Sequence, residues 1–565
     1  MGRTWRRIPG GMLLGVGLLL LGTATVRGQA PPEDDWKARL ERLEEMNRQL
    51  QQTNQQLLKR IESLESSPAP KGMSVPIQSE EAEQGAPVDK GAVQKIVSDY
   101  LKSEDEKKKK AEEDKKKAEA DTFIEVGKDL TMKARWDYGL WGETADKSFR
   151  VHVGGRTQFD AIWMSAQDNV QFGVNGTGPV RDGVNFRRAR LEVDGTMYEV
   201  IDWWCEYDFF NTANVDPTLP ATQANTINVP APTDLWVTFT HLPVVGNIRV
   251  GNQKPPISFE HLTSSRFLNF LERSFAFDAF IGGLDNGFRP GISAFSTFAE
   301  EHGTWAIGIF KNQNQVFGWN VGDGETDVTA RVTYLPYYEH DGRCLVHVGL
   351  GASHRDADED TLRYRARTLL RNGPAVLQTV MADARMLASG ETLLVPEFVM
   401  QFGPFLLQSE FFGVWAQDVF FPIAPTPGNP RVRRGTCFFP SYYVEALYFL
   451  TGEHRDYNRR TRETNRQASW GRVVPYENFF CVRDGCRGLC LGRGAWQVGA
   501  RYSYADLVDN GVFGGVVHDV TLGLNWFLNG NMKVQWNYIW EYRDLPVGTS
   551  NGQLHGFGMR LAYDF

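Results

Sequence analysis

The chain has 565 residues, a formal net charge of −8, 12 % aromatic residues and 16 Trp. That length exceeds one ordinary soluble core, and the small net charge does not announce a nucleic-acid partner. A mean hydropathy of −0.38 excludes a bundle of membrane helices but not a strand-built membrane wall, whose lumen face is polar and whose rims are aromatic.

The first 30 residues read as a secretory signal peptide. Arg3, Arg6 and Arg7 form a basic start, an apolar run from Ile8 to Leu21 follows, and small residues at Gly28 and Ala30 suit cleavage. No later stretch reaches the roughly 20 apolar residues that a spanning helix needs, so any membrane insertion must be by strands. Residues 31–66 predict a coiled coil. Trp36, Leu43, Leu50, Leu57 and Leu64 repeat by seven, and Leu40, Asn47, Asn54 and Ile61 make the second series. Residues 67–122 read as a linker followed by a mixed-charge helical or disordered run, EDEKKKKAEEDKKKAEAD.

From residue 123 the texture changes to repeated alternation. Val151, Val153, Phe159, Ala161 and Trp163 share one parity, and His152, Arg156, Gln158 and Asp160 share the other. Ala189, Leu191 and Val193 oppose Arg188, Arg190, Glu192 and Asp194; Val534, Trp536, Tyr538 and Trp540 oppose Gln535, Asn537 and Glu541. The last segment sets Phe557, Met559, Leu561, Tyr563 and Phe565 against Gly556, Gly558, Arg560, Ala562 and Asp564. Such alternation places apolar medium on one face and water on the other. Charge in mid-strand, segments of about 10 residues and aromatic ends point to a transmembrane antiparallel β-barrel over 123–565 with about 16 strands. Leu528 to Asn531 reads as a tight turn; 210–233, 368–391 and 420–437 read as long external loops.

Several blocks in this order resemble the bacterial phosphate-selective porins of the O and P type. They include FRRARLEVDGTMYEVIDWWCEYDF at 186–209, DLWVTFTHLPVVGNIRVGNQKPPISFEHLTSSRFLNFLERS at 234–274, YYVEALYFLTGEHRDYNR at 442–459 and LGLNWFLNGNMKVQWNY at 522–538. The resemblance implies an all-β, 16-stranded, homotrimeric outer-membrane barrel that passes small anions; no cofactor and no nucleic-acid partner is expected. It implies that the constriction arginines fall on Arg187 and Arg188, and that the segment holding Ser264 and Ser265 folds into the lumen to contact phosphate.

Arg suits anion selection because its planar guanidinium stays charged and can pair with two oxygens at once. On strict alternation Arg188 and Arg190 share a face, and Arg187 needs a strand start or a bulge to join them. The alternative is that these arginines pair internally with Glu192 and Asp194. Thr263, Ser264, Ser265 and Arg266 offer hydroxyl and backbone donors; Ser264 or its neighbours could equally cap a short helix through Phe267, Phe270 and Leu271. Arg363, Arg365 and Arg367 share a parity and predict a basic ladder that concentrates anions in the lumen. Cys437, Cys481, Cys486 and Cys490 sit in loop-like contexts and are candidates for two disulfides of unassigned pairing, while Cys205 and Cys344 read as strand residues. GxSxG, HExxH and P-loop patterns are absent, so the reading is not an enzyme. A periplasmic N-terminal extension touching the cell wall through the coiled coil, with the barrel as an anchor, is the alternative role.

Overall fold

The computed structural model describes residues 130–565 except 211, 215–225, 283–286, 313–324, 374–377, 426–427, 460–467, 480–481, 485–487 and 491. The signal-peptide, coiled-coil and charged-linker expectations lie outside the described residues.

Sixteen antiparallel strands close into a barrel. In chain order they are β1 (Arg150–Ala166), β2 (Gly183–Met197), β3 (Ile201–Asp208), β4 (Ala231–Leu242), β5 (Gly246–Gln253), β6 (Arg289–Phe298), β7 (Gly303–Lys311) and β8 (Thr326–Glu339). They continue with β9 (Cys344–Asp356), β10 (Gly390–Phe402), β11 (Phe405–Phe421), β12 (Val432–Phe449), β13 (Ala495–Asp509), β14 (Val512–Phe527), β15 (Met532–Asp544) and β16 (Gly552–Asp564). Each pairs with its chain neighbour, and β16 returns to β1 in the register Leu554↔Ala166 through Asp564↔Arg156. Closure removes the free edges that an open sheet would expose.

The expected alternation sets this wall. Phe557, Met559, Leu561 and Tyr563 of β16 face outward and are exposed, while Arg560 is fully buried on the inside. At the closing seam Gly155 and Phe565 exchange backbone hydrogen bonds of 2.8 and 3.0 Å. A Cβ at Gly154 would stand 2.6 Å from the Phe565 carbonyl oxygen, so the seam closes only over glycine.

Short links join strands at one rim, as at 198–200, 243–245, 403–404 and 528–531, and this turn rim corresponds to the periplasmic rim of outer-membrane barrels. One exception is the 45-residue connection 450–494 at the turn rim, which sends Arg455 and Trp470 into the interior. A hairpin (Met132–Trp136 paired with Leu140–Thr144) adds to the turn rim by pairing with the first residues of β1.

At the opposite rim two connections fold inward. The segment 254–288 between β5 and β6 carries short helices Phe259–Leu262 and Phe275–Phe280, almost wholly buried. The β9–β10 connection is a second inner element, a hairpin of Thr361–Arg367 with Val380–Leu387. Its Tyr364 ring meets Phe280 edge-on at 5.1 Å and Phe439 of β12 at 5.3 Å. This corrects the expectation that 368–391 is an external loop: a third of it, Val380–Leu387, is inner-hairpin strand. The expected loop 420–437 likewise shrinks to 422–431, because β11 and β12 extend into it.

The apolar core therefore lies inside the barrel. It joins Phe275, Phe280, Leu362, Tyr364 and Met381 of the inner elements to Val414 of β11, Phe439 of β12 and Leu507 of β13. Burying that surface at about 25 cal/mol per Å2 is what holds the inner hairpin against the wall.

Candidate functional site

The site is where the inner face of β1–β3 meets the inward segment 254–288. Position 187 decides its geometry. In the β1–β2 ladder Gln158 pairs with Arg188 and Phe159 pairs with Phe186, leaving Arg187 as an extra residue at a bulge. The bulge turns Arg187 inward beside Arg188, as the sequence reading required. Arg187 donates through Nε and Nη2 to Glu272 at 2.8 and 3.0 Å. Arg188 donates to Gln158 Oε1 at 2.8 Å and lies 3.8 Å from Glu272.

The serine pair meets this wall through a residue that the sequence reading left out of the site. Arg156 Nη1 donates to Ser264 Oγ at 3.1 Å and Ser265 Oγ at 2.9 Å. Gln158 donates to the Ser265 carbonyl at 3.0 Å, linking Arg188 to the same turn. Ser264 also caps the short turn Ser265–Phe267 by accepting from the Arg266 N–H, as the capping reading expected. Arg266 bridges Glu192 and lies 3.6 Å from Asp564. Arg190 donates to Asp208 at 2.8 Å and Glu206 at 2.9 Å.

These contacts form two ion networks. In the first, Arg156, Arg190, Arg266 and Arg472 alternate with Glu192, Glu206, Asp208 and Asp564, four charges of each sign. In the second, Arg187, Arg188, Arg367, Arg371 and Arg560 share Asp160, Glu272 and Asp278, which leaves two positive charges in excess. Internal pairing is thus extensive, with partners more varied than the expected Glu192 and Asp194. Asp194 itself accepts from His152, at 2.7 Å.

Glu272 is the hub of the second network. Burial alone would raise its carboxyl, but Arg187, Arg188, Arg371 and Arg560 hold it well below the usual carboxylate range. Asp278 behaves alike: burial opposes its charge, and Arg367 and Arg371 more than offset that. Burial pulls Arg371 down to about 10, which still leaves it charged at neutral pH.

The expected ladder is corrected. Arg363, Arg365 and Arg367 do share one strand, but it belongs to the inner hairpin and not to the barrel wall. Arg363 is exposed and clamped by Asp383 at 2.9 and 2.6 Å. Arg365 is 8 % exposed, and burial with the neighbouring Arg367 pulls it down to about 10. A bulge after Ala366 breaks the spacing, and Arg367 is tied to Asp278 of the inward segment. The three are therefore not one continuous track.

Cys437 lies in β12, buried and free, with Sγ 3.9 Å from the Asp509 carbonyl. This corrects its placement in a loop and its pairing; Cys481 and Cys486 lie outside the described residues, and of Cys490 only the backbone is described. Cys205 and Cys344 are free thiols in strands, as expected.

Arg156 and Gln158 were legible as inward by parity. Glu272, Arg371 and Arg472 were not, because they lie in connections with no period to read.

A curated relative, an uncharacterized protein of Caulobacter vibrioides, is 25 % identical over 441 residues, covering 75 % of each chain. Among solved structures, a loop-deletion mutant of OmpT from Vibrio cholerae is 12 % identical with a TM-score of 0.41, over 74 % of this chain and all of that one. The outer-membrane channel DcaP of Acinetobacter baumannii is 11 % identical with a TM-score of 0.40, over 75 % and 99 %. The model of the phosphate-selective porin O and P family matches residues 157–565, and the chain belongs to that family of outer-membrane channels.

Proposed function

We propose that this channel serves the passive uptake of phosphate or related oxyanions, selecting them at Arg187, Arg188, Ser264, Ser265 and Arg266, with Arg190 of the same wall and Arg156 as further donors. The observation that carries the reading is the uneven charge of the second network, where five guanidiniums share three carboxylates beside a hydroxyl pair. In a narrow, partly desolvated space such an excess acts with less screening than at a surface. An entering oxyanion can accept from Arg188 and the serines while Glu272 keeps the arginines in place. Binding is weak and exchangeable, which conduction requires. Arg367 belongs to this network, while Arg363 and Arg365 stand outside it, so the broken ladder guides anions less than a continuous one would. The working unit in this proposal is a homotrimer in outer-membrane lipid.

A second reading, a general porin with slight anion preference, draws on the full neutralisation of the first network. Purified protein in planar bilayers separates the two. Added phosphate should reduce chloride current in a saturable manner; a reduction no greater than that from sulfate-free dilution controls, with a reversal potential near zero in a salt gradient, supports the general porin.

A further inference from the structure

Beyond the constriction, towards the turn rim, lies a cavity of about 480 Å3. Ser264 and Arg266 line its inner end, so it opens from the selective site. Its far wall is aromatic. Trp141 of the rim hairpin stacks on His152 at 4.3 Å, and Trp204 of β3 stacks on Trp236 of β4 at 5.9 Å. A smaller adjoining cleft continues this wall to Arg249, whose guanidinium lies 3.9 Å from the centre of the Trp236 ring.

Arg150 stands at the junction and lines both spaces. Its guanidinium carbon lies 5.3 Å from the centre of the Trp141 ring. Its Nε has no hydrogen-bond partner, and among the described residues no carboxylate pairs with it. The nearby acids are engaged elsewhere: Asp194 with His152, Asp202 with Thr196 at 2.7 Å, and Asp234 with the Trp236 indole at 3.1 Å. The wall thus holds one uncommitted guanidinium framed by indoles, at the entrance of a space large enough for a small organic solute.

We propose that this vestibule is a subsite for small ring-bearing carboxylates. The carboxylate accepts from Arg150, and the ring lies against Trp141 and Trp204. A ring adds apolar and stacking contact with the indoles, without which the Arg150 contact alone does not retain an anion in the vestibule. The subsite rests on the channel reading, since solute reaches it through the lumen.

Planar-bilayer recording on the full-length protein with benzoate and acetate as probes tests it, each added on the turn-rim side during chloride conduction. The two share charge and head group and differ in the ring. Benzoate should reduce the current at several-fold lower concentration than acetate. Arg150→Gln should weaken the benzoate effect on the order of tenfold, the loss expected for a charge-assisted contact, and leave the phosphate effect unchanged. Trp204→Leu should bring benzoate close to acetate, and it decides the matter if the Arg150 variant does not assemble. Equal action of benzoate and acetate on the parent protein, or an unchanged benzoate effect in both variants, overturns the subsite. If chloride and phosphate still pass with anion preference in that case, the channel reading stands and only the subsite falls.

Discussion

Arg187 grips Glu272 with two hydrogen bonds, Nε to Oε1 at 2.8 Å and Nη2 to Oε2 at 3.0 Å, and so joins the bulge of β2 to the inward segment 254–288. Arg560, Arg188 and Arg371 surround the same carboxylate. The inner wall at β2 and the inward segment are therefore held by one acidic side chain. Replacing Glu272 by Gln should release positive charge into the lumen and raise anion preference on the order of tenfold, the worth of one contact of about 1.4 kcal/mol. Reversal potentials in a KCl gradient measure this; a shift towards cations would contradict it.

The clasp also has a pH dependence. Glu272 and Asp278 are both held below their ordinary values by surrounding arginines, despite burial. Groups with depressed native pKa stabilise the fold above their unfolded values, near 4.3 for Glu and 3.9 for Asp, and that contribution is lost as pH falls through the native values. Between pH 5 and pH 8 the inward segment should stay clasped. Acidification below about pH 4 should loosen it and increase current noise, which single-channel recording at pH 6 and pH 3 would show.

The inner hairpin is fastened through Arg367, which meets Asp278 by both its backbone N–H and its guanidinium. Arg367→Ala leaves Asp278 buried with Arg371 as its remaining cation, and removing one partner of a buried pair costs about 3–5 kcal/mol. Protease nicking of residues 357–389 should become faster. Arg363→Ala should change neither nicking nor conductance measurably, because its pair with Asp383 is exposed.

The barrel was largely legible, and the reason is its periodicity. Strands such as β15 and β16 alternate without a break, so their faces, the seam and the short link at 528–531 could be read from residue type alone. The bulge at Arg187 was legible as a requirement: two adjacent arginines cannot share a face of an unbroken strand. The inner elements were not legible, because they satisfy no period of their own. A signal did exist in the wall that receives them. Phe411 and Phe412, and Phe438 and Phe439, are apolar on both faces of β11 and β12. A water-filled lumen gives no reason for apolar residues inside, so such runs mark where an inner element docks. The ladder misled because Arg363, Arg365 and Arg367 alternate correctly, on a strand that is not part of the wall.

Closure of the barrel depends on the last residue of β16's path. Phe565 exchanges two hydrogen bonds with Gly155, and its ring would lie 3.0 Å from a Cβ at that position. Phe565→Asp would set a charge against the apolar seam. Export should persist while outer-membrane assembly falls, seen as loss of the heat-modifiable band on electrophoresis; a normal band would contradict the seam's importance.

The most direct measurement is phosphate block of chloride current in the Arg187→Ala, Arg188→Ala double variant, with heat-modifiability confirming assembly. Arg371 and Arg560 still neutralise Glu272 in this variant, so the inward segment keeps its anchor. The excess positive charge is removed with the two arginines. The account predicts loss of phosphate block and a reversal potential shifted towards cations. Retention of the parent protein's block and anion preference would contradict it and leave a general porin.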